Sequence, residues 1–304
     1  MRIQFQLTAL LLASMLWLPA CLHERDETHI LSPQVTQLII NVPDRVELLI
    51  VGSRRDTILI NESAYYRIES SYEFSLEESD SSARITMKNS NETNHFYGYL
   101  EIHVPAATPI GITVENAGYV TVRHTTGNMK LSTEAGNIRL SEVNGIIFVQ
   151  TMSGIVNGDH LTGAVHITAG EGDVELNHIR GCHPDVTTED FHCDTAVYGT
   201  SSPPITVFSQ RNTVYVNQID GDILIDSGTG TIAAAYVTGD ITAAIDNGDI
   251  FVEHAVGNLS LDVMEEGDVF AFNAECEECH IQTASGIAAI DPTDTTSEDI
   301  PNEQ

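Results

Sequence analysis

Positive charge is scarce in this chain. Its 304 residues carry 13 Lys and Arg against 44 Asp and Glu, a formal net charge of −31. A surface that acidic repels phosphate backbones and anionic headgroups, so nucleic acid is set aside as a partner. Catalytic motifs are missing too. No Gly-x-Ser-x-Gly elbow, phosphate-cradling loop or His-Glu-x-x-His pair occurs, and the sequence gives no reason to expect an enzyme. Acids are so abundant that a pair of them is weak evidence for glycoside hydrolysis, although a carbohydrate-active β-helical enzyme stands as the alternative.

Long apolar runs are also absent, with one exception at the start. Arg2 is followed by a run from Leu7 to Leu18 that is too short to span a bilayer comfortably and fits the core of a signal peptide. It ends in Leu18-Pro19-Ala20-Cys21, which resembles the lipobox of bacterial lipoproteins. The resemblance implies a signal peptide over 1–20, acylation of Cys21 and anchorage to a membrane. Several acyl chains on one terminus hold stably, each buried CH₂ contributing roughly 0.8 kcal/mol. Leu22, where an Asp would argue for inner-membrane retention, favours the outer membrane, with the protein facing the periplasm or the surface. The polar stretch that completes 21–34 is expected to be a tether, and the acidic end 291–304 a disordered tail.

What the chain has in abundance is regularly spaced glycine. Gly118, Gly127, Gly136, Gly145, Gly154, Gly163, Gly172 and Gly181 are nine residues apart, and so are Gly221, Gly230, Gly239, Gly248 and Gly257, after which the count slips by one to Gly267. Apolar residues fall two and four positions after the glycine in most of these units, as in Gly-Asn-Ile138-Arg-Leu140 and Gly-Asp-Ile250-Phe-Val252. That is the period of a strand with one buried face, closed by a turn. Alternate units differ two residues before the glycine: Val143, Leu161, Ile179, Ile219 and Val237 in one set, and, with Met152 the exception, Glu134, Gly170, Gly228, Asp246 and Glu265 in the other. The repeat is therefore eighteen, two unequal halves to a coil. Coils stack about 4.8 Å apart, and none can bury its apolar face alone. The sequence thus predicts an all-β solenoid over 110–290, interrupted by an insertion at 182–204 and preceded by a β-rich cap or leading coils over 35–109. Candidate strands in the cap are Val35–Val42, Val46–Val51, Asp56–Leu59, Ala83–Met87 and Tyr99–Val104. Such a cap protects the open strand edge at one end.

Tyr99-Leu-Glu-Ile-His-Val-Pro105, Ile112-Thr-Val-Glu-Asn-Ala-Gly-Tyr-Val-Thr-Val122 and the repeated Thr/Ser-x-x-Gly-Asn/Asp-Ile units resemble the putative adhesin family of bacterial β-strand-repeat proteins. The resemblance covers roughly Val35 to Ile290. It implies a solenoid that is exported, sometimes lipidated, and binding or structural in role, with an envelope protein or polysaccharide as partner. It brings no catalytic residues.

Four cysteines remain beside Cys21. In an exported chain Cys182, Cys193, Cys276 and Cys279 read as disulfides, of which three pairings exist. Local pairs, Cys182–Cys193 and Cys276–Cys279, keep the Cα atoms within the reach of a disulfide. Two other chemistries fit the same residues. Cys276-Glu-Glu-Cys279-His280 has the form of a c-type haem attachment site, and Cys182-His183 with His192-Cys193 could supply four zinc ligands. Three residues before alternate glycines lies the column His124, Glu142, His160, His178, Gln218, Tyr236 and His254. His160 and His178 fall one coil apart, a metal-binding or pH-sensitive stripe if not a solvated polar ladder. Asp222 and Asp240 stack likewise, with Asn258 above them. They read as turn caps or, since calcium takes oxygen ligands, as a cation column, although the doubled glycines of calcium-binding nonapeptide solenoids are missing.

Overall fold

The computed structural model describes residues 22–43, 45–67, 72–89, 96–181 and 205–292. Among these, alternation of buried and exposed residues produces twenty strands. They are β1 (Leu22–Ile30), β2 (Gln37–Asn41), β3 (Val46–Ser53), β4 (Leu59–Arg67), β5 (Tyr72–Glu78), β6 (Ser82–Asn89), β7 (Phe96–Pro105), β8 (Gly111–Asn116), β9 (Tyr119–Thr126) and β10 (Met129–Ala135). There follow β11 (Asn137–Ser153), β12 (Val156–Glu171), β13 (Val174–Gly181), β14 (Ile205–Asp220), β15 (Ile223–Thr238), β16 (Ile241–Val256), β17 (Leu259–Glu266), β18 (Val269–Ala274), β19 (Cys279–Thr283) and β20 (Ala288–Pro292).

Two ladders run the length of the molecule. In one, β9 is followed by the first halves of β11 and β12, then β13, the second halves of β14, β15 and β16, then β18 and β20. In the other, β8 and β10 are followed by the second halves of β11 and β12, the first halves of β14, β15 and β16, then β17 and β19. All these pairings are parallel, and most join residues 18 apart, as in Ile223↔Ile241 and Ile232↔Ile250; the step is 17 from β8 to β10, 40 across the insertion, and 19 or 20 towards the C-terminal end. The protein is a β-solenoid of about nine turns with coils of roughly 18 residues. The hydrogen-bonded stack continues through the corners: Gly221 N–H donates to Thr238 O at 2.8 Å and Gly239 N–H to Val256 O at 2.9 Å.

One coil shows why the sequence folds this way. Ile223, Ile225, Ile232, Ala234 and Val237 point inward and are almost wholly buried, as are their counterparts in the coils on either side. Burying each large aliphatic side chain contributes about 1.5–3 kcal/mol, and it does so only because the next coil covers it. The corners fall where backbone dihedrals turn positive. Gly127, Gly145, Gly163, Gly221, Gly239 and Gly257 mark one corner, and Gly154, Gly172, Gly230, Gly248, Gly267 and Gly286 another. Asn212, with φ at 90°, holds the place of a glycine in the second column, in register with Gly230. The count of glycines is broken there, but the corner is not.

The insertion is absorbed without loss of register. Val165 pairs with Ile205 and Leu176 with Val216, so the step is 40 instead of 18 while every inward residue keeps its neighbour. The slip to Gly267 is likewise real: the pairing of β16 with β17 shifts between Ile245 and Asn247.

The N-terminal end corrects one expectation. Leu22–Ile30 is not a tether. It is an edge strand, antiparallel to β4 over its whole length. Its polar sequence is accommodated because Glu62 of β4, buried at 1% exposure, faces the Arg25 guanidinium at 3.5 Å and His29 Nε2 at 3.5 Å. Of the cap or leading coils expected over 35–109, both are present: β2 and β3 are already a parallel coil, pairing with β8 and β9. The cap proper is β4–β7, folded back beneath them: β6 and β7 lie parallel to β2 and β3, and β5 and β4 are antiparallel beyond them. At the other end, Asp291 and Pro292 belong to β20, and the rest of the acidic tail lies outside the described residues.

Candidate functional site

The histidine column owes its position to the backbone. His124, Glu142, His160, His178, Gln218, Tyr236 and His254 all have φ between 53° and 56°. A left-handed residue puts two successive side chains outward, as Asp159 and His160 are, before Leu161 turns in. The chain bends there, so each coil has a third corner, and its side chains stack on the outside of the molecule. His124 Nδ1 meets Glu142 at 2.8 Å, and Tyr236 stacks on His254 with ring centroids 4.8 Å apart.

The step from His160 to His178 differs from the others. The two imidazoles stack at 4.4 Å, 16° from parallel. Asp159 stands beside both, its Oδ1 3.0 Å from His160 Nδ1 and 2.9 Å from His178 Nδ1. Partial burial acts to raise the Asp159 pKa, but the hydrogen bonds from the two histidines and their positive charge outweigh it and hold the carboxyl below the usual range. These three residues and a second set, Glu27, His29 and Glu62, are the described groups whose donor atoms lie close enough together to hold an ion. In the second set His29 stacks on Phe74 at 4.8 Å and Glu62 faces Arg25, so it works as an internal ion-pair network of the cap.

The aspartate column has a structural occupation. Asp222 Oδ1 accepts the N–H of Asp240 at 2.9 Å, Asp240 Oδ1 that of Asn258 at 2.8 Å, and Asn258 Oδ1 that of Glu278 at 3.1 Å. Asn137, Asp173, Asp249 and Asp268 act alike on Ile155, Thr213, Asp268 and Ile287. Each carboxylate or amide therefore caps a corner donor in the coil above. Asp240→Ala leaves the Asn258 N–H without that acceptor and is expected to cost about 1–2 kcal/mol, whereas Asp240→Asn keeps the oxygen and costs little. Paired thermal melts check this; equal losses in the two variants would refute it.

Cys276 and Cys279 are bonded to each other, their Cα atoms 5.9 Å apart, closing the corner between β18 and β19. A sulfur so engaged cannot form a thioether to haem. His280 follows in β19, exposed and in register with Ser260. Cys21, Cys182, His183, His192 and Cys193 lie outside the described residues.

Sequence reasoning missed the outward faces. On the first ladder, one column runs through Arg139, Asn157, Glu175, Tyr215, Ala233, Phe251 and Phe270. Towards the C-terminal end it becomes an aromatic strip: Phe251 stacks on Phe270 at 5.6 Å, and Phe270 lies beside Phe272 at 6.0 Å. Tyr215, Phe251 and Phe272 are 37–43% exposed. On the second ladder Phe148 stacks on His166 at 4.8 Å, beside a shallow groove that Lys130, Gln150 and Thr168 also line. The signal in the sequence was an aromatic at the odd, outward positions after the glycine, as in Gly-Asp-Ile250-Phe-Val252.

Parallel coils, three columns of corners and faces of outward side chains define the class: this is a β-solenoid. No protein-family profile matches the chain, and no curated protein does either. Among solved structures it is similar to a putative adhesin from Parabacteroides merdae, with 10% identity and a TM-score of 0.44 over 88% of this chain and 95% of that one. It is also similar to a putative adhesin from Parabacteroides distasonis, at 10% identity and a TM-score of 0.42 over 88% and 98% of the two chains. A third similar structure is a putative cell adhesion protein from Clostridium sporogenes, at 10% identity and a TM-score of 0.25 over 89% and 100%.

Proposed function

We propose that the protein is an exported envelope lipoprotein, anchored through Cys21, whose solenoid is a non-enzymatic, adhesin-like binding element. The observation that carries the binding role is the outward aromatic cluster of Phe251, Phe270 and Phe272, with Tyr215 two rungs away in the same column. Exposed aromatics on a rigid surface bury large areas against a partner at little entropic cost, and a contact of that kind is where binding energy concentrates. Successive rungs about 4.8 Å apart suit an extended partner, an envelope protein segment or a polysaccharide, lying along the stack. Anchorage rests on the sequence Leu18-Pro19-Ala20-Cys21, and the outer membrane on Leu22.

The test combines labelling of intact cells with capture of partners from envelope extract. The wild-type protein is expected in the membrane fraction with a reproducible partner, and Cys21→Ser in the soluble fraction. Phe251→Ser combined with Phe270→Ser should fold normally and lose most of the captured partner. A Cys21→Ser protein still bound to membrane would overturn the anchor, and undiminished capture by the double variant would overturn the binding face.

A further inference from the structure

We propose that Asp159, His160 and His178 form a surface site for a divalent d-block cation such as Zn²⁺, with the Asp159 carboxylate and the two Nδ1 atoms as its ligands. This is a separate site from the aromatic face. The sequence puts the two histidines one coil apart, and the structure adds Asp159 against both.

Both histidines hold the left-handed corner conformation, φ 54° and 55°, one coil apart, so the stack itself projects their rings side by side. Asp159, the preceding outward residue, brings Oδ1 to 3.0 Å and 2.9 Å of the two nitrogens. Zinc binds histidine nitrogen at about 2.0–2.1 Å and carboxylate oxygen at about 2.0–2.2 Å, which sets tetrahedral ligand–ligand edges near 3.3 Å. The two observed N···O edges need to open by a few tenths of an ångström, and the stacked imidazoles, 16° from parallel, must turn so that both Nδ1 lone pairs point at one ion. Two imidazoles with one carboxylate suit zinc, nickel or copper and not calcium, which takes oxygen ligands.

The position is particular. Along this corner column, no other neighbouring pair among the described residues is histidine over histidine: His124 has Glu142 above it, and Tyr236 has His254. In the column that Asp159 occupies, its neighbours in the coils before and after are Ser141 and Asn177, and Glu142, the carboxylate one coil before His160, is engaged with His124 Nδ1. All three side chains are about half exposed, which leaves the remaining coordination positions open to water or to a side chain of a partner.

The test is titration of the purified protein with Zn²⁺ by calorimetry, with Co²⁺ as the spectroscopic probe. Binding at roughly micromolar affinity is expected, with a cobalt spectrum of nitrogen and oxygen ligation. His160→Asn and His178→Asn keep the corner, because asparagine enters the left-handed region readily, and each should weaken Zn²⁺ binding at least about tenfold. The His183→Ala/His192→Ala double variant should bind as the wild type does. A measurement on the wild type guards against misfolded variants: nitrogen-detected histidine NMR should show His160 and His178 shifting on addition of Zn²⁺ and the other histidines staying in place. Absence of Zn²⁺ uptake at about 100 μM, loss of uptake in the His183/His192 variant alone, or shifts confined to other histidines would each overturn the site.

Discussion

Gly248→Val is expected to leave the protein unfolded at room temperature. A Cβ at that position would lie 1.9 Å from the carbonyl oxygen of Gly230 in the coil below, closer than any real contact. The backbone is at φ +134°, where side-chain-bearing residues are strained in any case. Relief by moving away is blocked from above, because a Cβ on Gly267 would in turn lie 1.9 Å from Gly248 O. The coil can neither rise nor sink without breaking ladder hydrogen bonds on both sides. Steric conflict with fixed backbone costs upwards of about 4 kcal/mol, comparable with the whole stability of many domains. Gly158→Ala makes the contrast. That glycine has no positive φ, and its Cβ would meet the ends of the Leu161 and Leu176 side chains at 2.8 Å. Side chains can shift, so about 1–3 kcal/mol is expected. Thermal melts followed by circular dichroism give the order: a Gly248→Val protein melting within a few degrees of the wild type would show that the corners are not so tightly stacked.

The same corners explain what could and could not be read in advance. Glycine was legible because it fits a stacked corner with least strain and so recurs there, and the apolar alternation after it was legible because every coil must cover its neighbours. Asn212 escaped notice because it is not glycine, although it holds the same corner; asparagine enters positive φ more readily than other side chains. The third corner was visible as a column, but its cause was not. His160, Glu142 and Tyr236 share a backbone conformation, not a side-chain chemistry, and that is why such different residues line up. The cap was the least legible part. Strand β1 carries charges on both faces of its alternation, so no apolar period announces it, and β5 offers only the short alternation of Tyr72, Phe74 and Leu76. β1 stays in place through Arg25 and His29 meeting a carboxylate on another strand, a pairing distant in sequence. For the site, His160 and His178 could be put one coil apart by counting, whereas the part of Asp159 depends on the bend that places residues 159 and 160 on the same side.

Length changes separate the eighteen-residue coil from the nine-residue glycine spacing. Removing residues 223–240 joins Asp222 to Ile241, the junction that Asp240 makes in the intact chain, and each residue beyond it takes over the role of one 18 positions earlier. The shortened protein loses one coil of buried aliphatic residues and should remain a cooperative β-solenoid with a modestly lower melting temperature. Removing residues 223–231 also preserves the glycine spacing, yet it joins Asp222 to Ile232. Tyr236, with its left-handed bend, then falls in the ladder that has no bend, and every later coil faces the wrong half of its neighbour. Loss of several kcal/mol is expected, enough to abolish the fold.

Melting this pair of deletions side by side is the most direct measurement of the architecture. A folded protein lacking 223–240 beside an unfolded one lacking 223–231 is the predicted result. Equal tolerance of both, or equal collapse, would contradict a stack built from two unequal halves.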